Sequence, residues 1–328
     1  MIVDLFAGPG GIDHGAQLAG IPSIGIEWDA NAVATRTAAR LATVHGDVRH
    51  HSPADFPGAT TLAGGPPCQT FTVAGTGAGR AALDTVLALA DALAARQDVR
   101  WALDAMSDPR TALVLEPLRW ALQAADTGRP YKAIVLEQVP AVLPVWQAYT
   151  RILRAEGYHA ACGILSTEEY GLPQTRRRAV LVARLDAPVG LPAATHRPWR
   201  RGALSEVEAH RRPVVSMGQA LSRPEPFTVI SNYGTGGDPR NRGRRTSAEP
   251  AFTVTGKISR NRIVDTAGRE LPRFTHAEAG ILQGFPADWP WSGRDIPQQI
   301  GNACPPPLAA ALLAAVNAPA PAGLEIAA

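Results

Sequence analysis

The chain has 328 residues, 45% of them hydrophobic, a length that allows one large domain with a sizeable core and a smaller second one. Its cysteines, Cys68, Cys162 and Cys304, lie far apart, which excludes a disulfide framework or a CxxC zinc site and favours a reducing cytoplasm. The eight histidines have no metal-ligand spacing, and no apolar run is long enough to span a membrane. We therefore expect neither a metal nor a membrane partner. The N-terminus enters an apolar segment without a preceding basic region, which predicts that it is not a signal peptide.

The net charge of +3 is unevenly distributed. Residues 196–273 contain 15 Lys and Arg against 7 Asp and Glu, a local charge of +8, so the rest of the chain carries −5. A basic segment joined to a mildly acidic one favours a polyanionic partner, although an arginine-rich solvated surface is the alternative.

Short apolar runs alternate with helical patterns through the first half of the chain. The predicted strands are Ile2–Phe6, Ser23–Trp28, Thr60–Ala63, Ala133–Glu137 and Arg178–Ala183, and the predicted helices are Ile12–Ala19, Ala30–Leu41 and Val142–Glu156. This alternation predicts an α/β fold with a parallel, doubly wound sheet.

The alternation stops after Leu185, where Pro, Gly and Arg accumulate, and we place a domain boundary near residues 186–195. Two similar short runs, 225–229 and 249–254, predict related β-strands with a Gly- and Arg-rich loop between them. Thr275 and Glu278 have capping-box spacing at the start of a later helix. A last helix over Pro305–Val316 is expected to pack back on the large domain.

The first predicted strand leads into a glycine-rich turn, Phe6–Gly11, and then a helix. Such a turn lets the backbone approach a ligand at the helix N-terminus, and its GxGG spacing favours an adenosyl-type ligand over NAD. Glu27 can accept hydrogen bonds from ribose hydroxyls, Trp28 can stack, and Asp47 can accept from an adenine amino group. In this order, the residues predict an S-adenosylmethionine pocket.

Cys68 follows the predicted strand Thr60–Ala63, in the turn Gly64–Gln69. A cysteine presented at that edge of the sheet is a candidate nucleophile, whereas the alternative for a lone cysteine is an inert core residue. Glu137 closes the next strand at the same edge. Arg176 and Arg178 alternate along a strand and are predicted to point the same way.

The chain resembles the DNA (cytosine-5)-methyltransferases, and the matching blocks span residues 4–303. These blocks are Asp4–Gly8, Glu27–Trp28, Gly46–Asp47, Gly65–Gln69, Glu137–Val139, Gln174–Arg178 and Gln299–Ala303. The resemblance implies a Rossmann-like methyltransferase domain with a mixed, mostly parallel sheet over residues 1–189. It also implies a small, mostly β or irregular target-recognition domain over residues 190–272 and a returning segment over 273–328.

The resemblance also implies the roles of individual residues. Cys68 would attack C6 of a flipped-out cytosine, Glu137 would hold N3 and the exocyclic amine, Arg178 would bind O2, and Arg176 would support the cysteine loop and a phosphate. The expected S-adenosylmethionine contacts are Phe6, Gly8, Gly10, Glu27, Trp28, Asp47, Val48, Pro66, Asn302 and Ala303. The expected DNA or base contacts are Gln69, Thr72, Gln174 and Thr253.

We therefore expect a cytoplasmic, nucleoid-associated monomer of bacterial or phage origin that methylates double-stranded DNA and releases S-adenosyl-L-homocysteine. It would act alone or beside a cognate restriction endonuclease. Two alternatives stay open: a tRNA cytosine methyltransferase of the same fold, and a non-catalytic DNA-binding homologue.

Three features depart from the family pattern, of which Phe71-Thr72 in place of the usual Phe-Ser is a mild change. Gln138 replaces the usual Asn of the Glu-Asn-Val block, and the pattern alone predicts equal or higher methylation for Gln138→Asn. The segment between Cys68 and Asp108 is longer than usual, with glycines at 75–79 that suit a closing loop and a helical run over Ala81–Ala95.

Overall fold

A computed structural model describes residues 1–67, 77–99, 102, 109–200, 202–232 and 242–318, with the backbone alone at 77–81 and 109. The predicted site residues Cys68, Gln69 and Thr72 lie outside the described residues. Among the helices of these ranges, none combines the length and apolarity that crossing a lipid bilayer requires.

The core of the protein is a seven-stranded sheet in the order β3-β2-β1-β4-β5-β7-β6. Its strands are β1 Ile2–Leu5, β2 Ser23–Glu27, β3 Thr43–His45, β4 Thr61–Gly64, β5 Ala133–Gln138, β6 His159–Ser166 and β7 Arg177–Arg184. The first five strands are parallel, and β7 is antiparallel to both neighbours. The predicted α/β fold with a mostly parallel sheet is confirmed.

Helices cover both faces of this sheet. They are α1 Gly11–Leu18, α2 Ala30–Ala38, α3 Gly77–Ala94, α4 Pro109–Ala112, α5 Glu116–Asp126 and α6 Leu143–Ala155. Alternate residues of β5 face opposite layers: Ile134 packs with α3, α5 and α6, whereas Val135 packs with α1 and the C-terminal helix. A strand buried on both faces needs a continuous apolar run, which explains why β5 is recognisable in the sequence.

A second, four-stranded antiparallel sheet has the order β11-β10-β8-β9. Its strands are β8 Thr228–Ile230, β9 Arg244–Thr246, β10 Arg262–Val264 and β11 Glu270–Leu271, all inside the segment predicted to recognise the target. The short helices α7 Glu206–Ala209 and α8 Met217–Ala220 precede this sheet. The boundaries at 190 and 272 stay a prediction.

Three helices follow the small sheet: α9 His276–Gln283, α10 Ile296–Asn302 and α11 Pro306–Asn317. The capping box of Thr275 and Glu278 is present at the start of α9. Helix α11 packs against α1 so closely that a Cβ at Gly15 would lie 2.7 Å from the Cβ of Ala309. The C-terminal segment therefore returns to the large sheet.

The sequence analysis missed β6, α5 and α10, and the strand predicted over 249–254 is wrong, because only an isolated bridge between Ala251 and Gln174 forms there. Strand β6 lies at the edge of the sheet, and its run of small and polar residues gives little apolar contrast. Helix α10 contains a proline and a glycine in seven residues, and it is held by packing against α9 and α2 more than by helix propensity.

Candidate active site

A cavity of about 1020 Å³ opens at the carboxyl ends of β1, β2, β4 and β5, where the strand order of the sheet reverses. Ligands of open α/β sheets bind at such a reversal. The predicted site residues that line it are Phe6, Gly8, Glu27, Trp28, Asp47, Val48, Glu137, Arg176, Arg178, Thr253, Asn302 and Ala303. Gly10, Pro66 and Gln174 are not in its lining, although they too were predicted to bind cofactor or DNA.

The glycine-rich turn forms one wall of the cavity. Gly8 has φ +54° and Gly10 has φ +101°, conformations that favour glycine. Phe6 adopts φ +61°, and its backbone is strained because residues with a side chain rarely adopt a positive φ. A Cβ at Gly11 would lie 2.0 Å from the carbonyl oxygen of Cys304. The turn therefore brings backbone close to the cavity while the C-terminal segment packs directly behind it.

Glu27 stabilises this turn from the end of β2. Its Oε2 accepts from the N–H of Gly8 at 2.6 Å, and its Oε1 accepts from the N–H of Asp29 at 2.7 Å. Burial raises the pKa of Glu27 despite these two hydrogen bonds. Trp28, 69% exposed, presents its ring at the cavity wall.

Asp47 is paired with Arg49, a residue that the sequence analysis did not single out. The Asp47 carboxylate accepts from the Arg49 Nε and Nη2 at 2.5–3.1 Å and from the Arg49 N–H at 2.9 Å. Partial burial raises the pKa of Asp47, but these hydrogen bonds outweigh it and the net effect lowers that pKa. Asp47 is thus held as a carboxylate at the cavity wall.

Asp4, the penultimate residue of β1, is a second lining residue whose role the sequence reasoning missed. It is fully buried, and neither carboxyl oxygen accepts a hydrogen bond within the described chain. Burial and the nearby Asp13 carboxyl raise the pKa of Asp4 well above its ordinary value. Because both carboxyl oxygens are inaccessible, Asp4 supports the cavity wall from behind, beside Asp13. A polar residue inside an otherwise apolar strand is the sequence signal for it.

Asp13 and Arg36 form a buried ion pair beneath the glycine-rich turn. The Arg36 Nη1 lies 2.6 Å from the Asp13 Oδ2, and Arg36 also donates to the carbonyls of Ala7 and Ala42. Gly25 leaves the space that this guanidinium fills, because a Cβ there would lie 2.1 Å from the Arg36 Nη2. The pair positions the backbone from which the turn departs.

On the opposite wall, Glu137 and Arg178 form an ion pair with a 2.6 Å separation between Oε1 and Nε. Both are largely buried, and they come from the adjacent strands β5 and β7. A Cβ at Gly65 would lie 3.7 Å from the Glu137 Oε2, so the turn that leads to Cys68 passes beside this pair. The arrangement can present a carboxylate and a guanidinium to one planar ligand.

Gln138 connects this pair to the same turn. Its Nε2 donates to the carbonyl of Pro66, and its Oε1 accepts from the N–H of Val139. Pro66 is buried, two residues before Cys68, and its contact with Gln138 indicates a role in shaping the turn.

Arg176 and Arg178 both line the cavity, but Arg176 is only 2% exposed and donates to the carbonyls of Val254 and Gly301. The DNA contact predicted for Gln174 stays a prediction, and the structure places this residue inside the protein. Its side chain is fully buried and hydrogen-bonds to Leu282, Gln283 and Val254. Thr253 lines the cavity and donates to the carbonyl of Thr175 at 2.7 Å.

Comparisons with known proteins show which proteins this chain is similar to. Residues 1–90 match the model of the C-5 cytosine-specific DNA methylases. The type II methyltransferase M1.HphI of Haemophilus parahaemolyticus is 28% identical over 96% of this chain and 86% of its own length. M.NgoBI of Neisseria gonorrhoeae is 28% identical over 88% and 83%. The chain is similar to the C-5 cytosine-specific DNA methylases over its first 90 residues and to type II methyltransferases over nearly its whole length. Strands β1 and β4, which lie within the matched residues 1–90, lead into the glycine-rich turn and into the segment before Cys68.

Solved structures agree with this family at the level of the fold. The S. pombe Dnmt2 methyltransferase has a TM-score of 0.63 at 17% identity and covers 96% of this chain and 97% of its own. A putative DNA modification methyltransferase from an E. coli prophage has a TM-score of 0.59 at 18% identity, covering 95% and 97%.

Proposed function

We propose that this methyltransferase transfers a methyl group from S-adenosyl-L-methionine to C5 of a flipped-out cytosine within a short, specific sequence of double-stranded DNA. One observation carries the proposal. A single cavity is lined both by the glycine-rich turn with Glu27 and by the Glu137–Arg178 pair. A cofactor and a base bound in that cavity would therefore meet.

The described residues fit S-adenosylmethionine. Gly8, Glu27, Trp28 and Asp47 would hold its adenosine. The cavity has the volume for a nucleoside-sized ligand and a base together. When bound, S-adenosylmethionine supplies an electrophilic methyl group on a sulfonium.

The chain's own residues would prepare the base. Addition of the Cys68 thiolate to C6 forms an S–C6 bond and makes C5 nucleophilic. Glu137 would favour a proton at N3, and Arg178 would bind O2, so both stabilise the charge that this addition creates. After C5 is methylated, loss of the C5 proton returns the electron pair and expels Cys68. Because C6 is inaccessible within a duplex, the cytosine must leave the base stack.

Three cations at one end of the small sheet would bind the DNA backbone. Arg244, Lys257 and Arg260 are exposed and have no ion-pair partner among the described residues. Three other arginines of this region each pair with a carboxylate: Arg223 with Glu278, Arg262 with Glu270 and Arg269 with Asp265. Lys257 also lines the cavity, so the unpaired charge continues to the active site.

The proposal is tested by incubating the protein with methyl-labelled S-adenosylmethionine and either duplex DNA or tRNA. We expect label in DNA, and bisulfite sequencing of the host genome that expresses the chain gives the target sequence. Label in tRNA alone would replace the DNA substrate with the alternative. The absence of label from both would favour a non-catalytic homologue.

Cys68→Ser is expected to abolish turnover, because a serine hydroxyl is a far weaker nucleophile than a thiolate at neutral pH. Binding of S-adenosyl-L-homocysteine, measured by calorimetry, should persist. Product formation by Cys68→Ser at the wild-type rate would refute the assignment of the nucleophile.

A further inference from the structure

Val254 lies between two lining residues of the cavity, Thr253 and Thr255, and both of its backbone polar groups are held by side chains. Its N–H donates to the Gln174 Oε1 at 2.9 Å, and its carbonyl accepts from the Arg176 Nη1 at 2.8 Å. The wall that carries Thr253 and Lys257, which we propose faces DNA, is therefore attached to the start of β7.

The same side chains reach the wall that we propose faces the cofactor. The Arg176 Nη2 donates to the carbonyl of Gly301 at 2.8 Å. The Gln174 Nε2 donates to the Gln283 Oε1 at 2.6 Å, and the Gln283 Nε2 donates to the carbonyl of Ala303 at 2.6 Å. These two carbonyls flank Asn302, which lines the cavity.

We call Gln174, Arg176 and Gln283 the buried clamp. Gln174 and Gln283 are fully buried and Arg176 is 2% exposed, so no water can replace a lost partner. The two walls also touch directly, since a Cβ at Gly301 would lie 2.3 Å from the backbone nitrogen of Gly256. A shift of one wall must therefore displace the other.

We propose that the buried clamp couples the two binding sites, with Gln283 as a positioning residue that touches neither ligand. The inference rests on the proposed function. Removing Gln283 from the clamp leaves the Ala303 carbonyl with only the 3.4 Å contact to the Arg176 Nη2, and it leaves the Gln174 Nε2 with only the Leu282 carbonyl as an acceptor. The walls for DNA and for cofactor then lose their common support, and affinity for both ligands falls together.

The test measures two dissociation constants for Gln283→Met, which keeps the side-chain volume and removes the amide. S-adenosyl-L-homocysteine is titrated by calorimetry, and a duplex that the wild type methylates is titrated by fluorescence anisotropy. We expect both constants to rise about five- to tenfold, the effect of one or two buried hydrogen bonds. Glu27→Gln should weaken only the cofactor analogue and Thr253→Val only the DNA.

Tyr158→Phe is the matched control, because it removes a buried hydrogen bond to the Tyr131 carbonyl far from the cavity. Both of its constants should equal those of the wild type. If Gln283→Met does not fold, Gln283→Asn, which shortens the amide, is expected to weaken both ligands.

Weakening of one ligand only, or of neither, would overturn the coupling. A wild type that methylates no DNA would instead refute the proposed function, so the two failures are distinguishable.

Discussion

At the rim of the active site, Gln138 uses both ends of its amide: it donates to the Pro66 carbonyl and accepts from the N–H of Val139. The family pattern has an asparagine at this position, and the pattern alone predicts that Gln138→Asn preserves or raises methylation. The structure reverses this expectation. An asparagine is shorter by one methylene and cannot keep both contacts from the same backbone position.

We therefore expect Gln138→Asn to lower kcat by about tenfold, because the turn before Cys68 loses a buried hydrogen bond. Single-turnover methylation with saturating DNA and cofactor measures this step directly. Gln138→Glu, which cannot donate to the Pro66 carbonyl, should be impaired at least as much. Wild-type rates in Gln138→Asn would show that the bond to Pro66 does not position the turn.

Because of Glu168, the free energy of unfolding should depend on pH. It is 6% exposed, its Oε2 has no hydrogen-bond partner within the described chain, and burial raises the pKa of Glu168 from 4.5 to about 6. The folded state therefore binds this proton more tightly than the unfolded state. The stabilisation is fully present below about pH 4.5 and is lost as the pH rises through 6.

Glu168→Gln should remove this dependence while keeping the shape. The difference in unfolding free energy between wild type and Glu168→Gln should change by up to about 2 kcal/mol between pH 4 and pH 7.5, to the disadvantage of the wild type at high pH. Urea unfolding at several pH values measures it. A difference that is constant over this range would contradict the raised pKa.

At the scale of elements, strand β9 separates two neighbouring arginines onto opposite faces of the small sheet. The Arg245 Nη1 lies 2.8–2.9 Å from Thr175 Oγ1 and the carbonyls of Pro250 and Ala251, and its guanidinium stacks 4.5 Å from the Phe252 ring. The side chain of Arg244 is exposed and forms no ion pair within the described chain. One arginine thus anchors the strand and the other is available to DNA.

Arg244→Gln and Arg245→Gln form a matched pair of variants. Arg244→Gln should weaken DNA binding about equally across sequences and reduce the slope of log K against log salt by about 1, with unchanged thermal stability. Arg245→Gln should instead cost about 1–3 kcal/mol of stability. Anisotropy at several salt concentrations and thermal unfolding distinguish them, and the reverse pattern would refute the assignment.

Helix α3 shows that part of the long segment after Cys68 has a structural role. Val86 and Ala90 are fully buried in the core, next to α5 and α6. Just beyond the helix, Arg96 pairs with Asp126 and Glu156, which lie at the ends of α5 and α6. The helix is part of the main core and includes Gly77 and Gly79, whereas Gly75 lies outside the described residues.

At the scale of the whole molecule, the two sheets meet where α10 contacts the loop 253–257. A Cβ at Gly301 would lie 2.3 Å from the Gly256 nitrogen and 2.5 Å from the Thr255 carbonyl carbon. Because backbone atoms cannot give way as a flexible side chain can, only glycine allows this approach.

Gly301→Ala is expected to cost about 1–3 kcal/mol of stability and to impair DNA methylation, since the loop that carries Thr253 must move away. Gly190→Ala is the control, because a Cβ there meets no atom within 4 Å and the backbone is not in the left-handed region. Thermal unfolding and methylation are measured for both. Equal behaviour of the two variants would show that the close contact is not required.

The sequence by itself determined the α/β class, the positions along the chain of the strands that are apolar on both faces, and the residues at their carboxyl ends. These follow from local patterns, because a buried strand, a glycine turn and a cap each depend on neighbours in the chain.

Tertiary structure decided what Gln174, Gln138 and Asp4 do. Gln174 is followed by three arginines and reads as a DNA contact, yet it is fully buried because α9 and the loop around Val254 close over it. Its partners lie 80 to 109 residues away. No spacing rule reaches that far, because hydrogen bonds of this kind form only once separate elements have packed together.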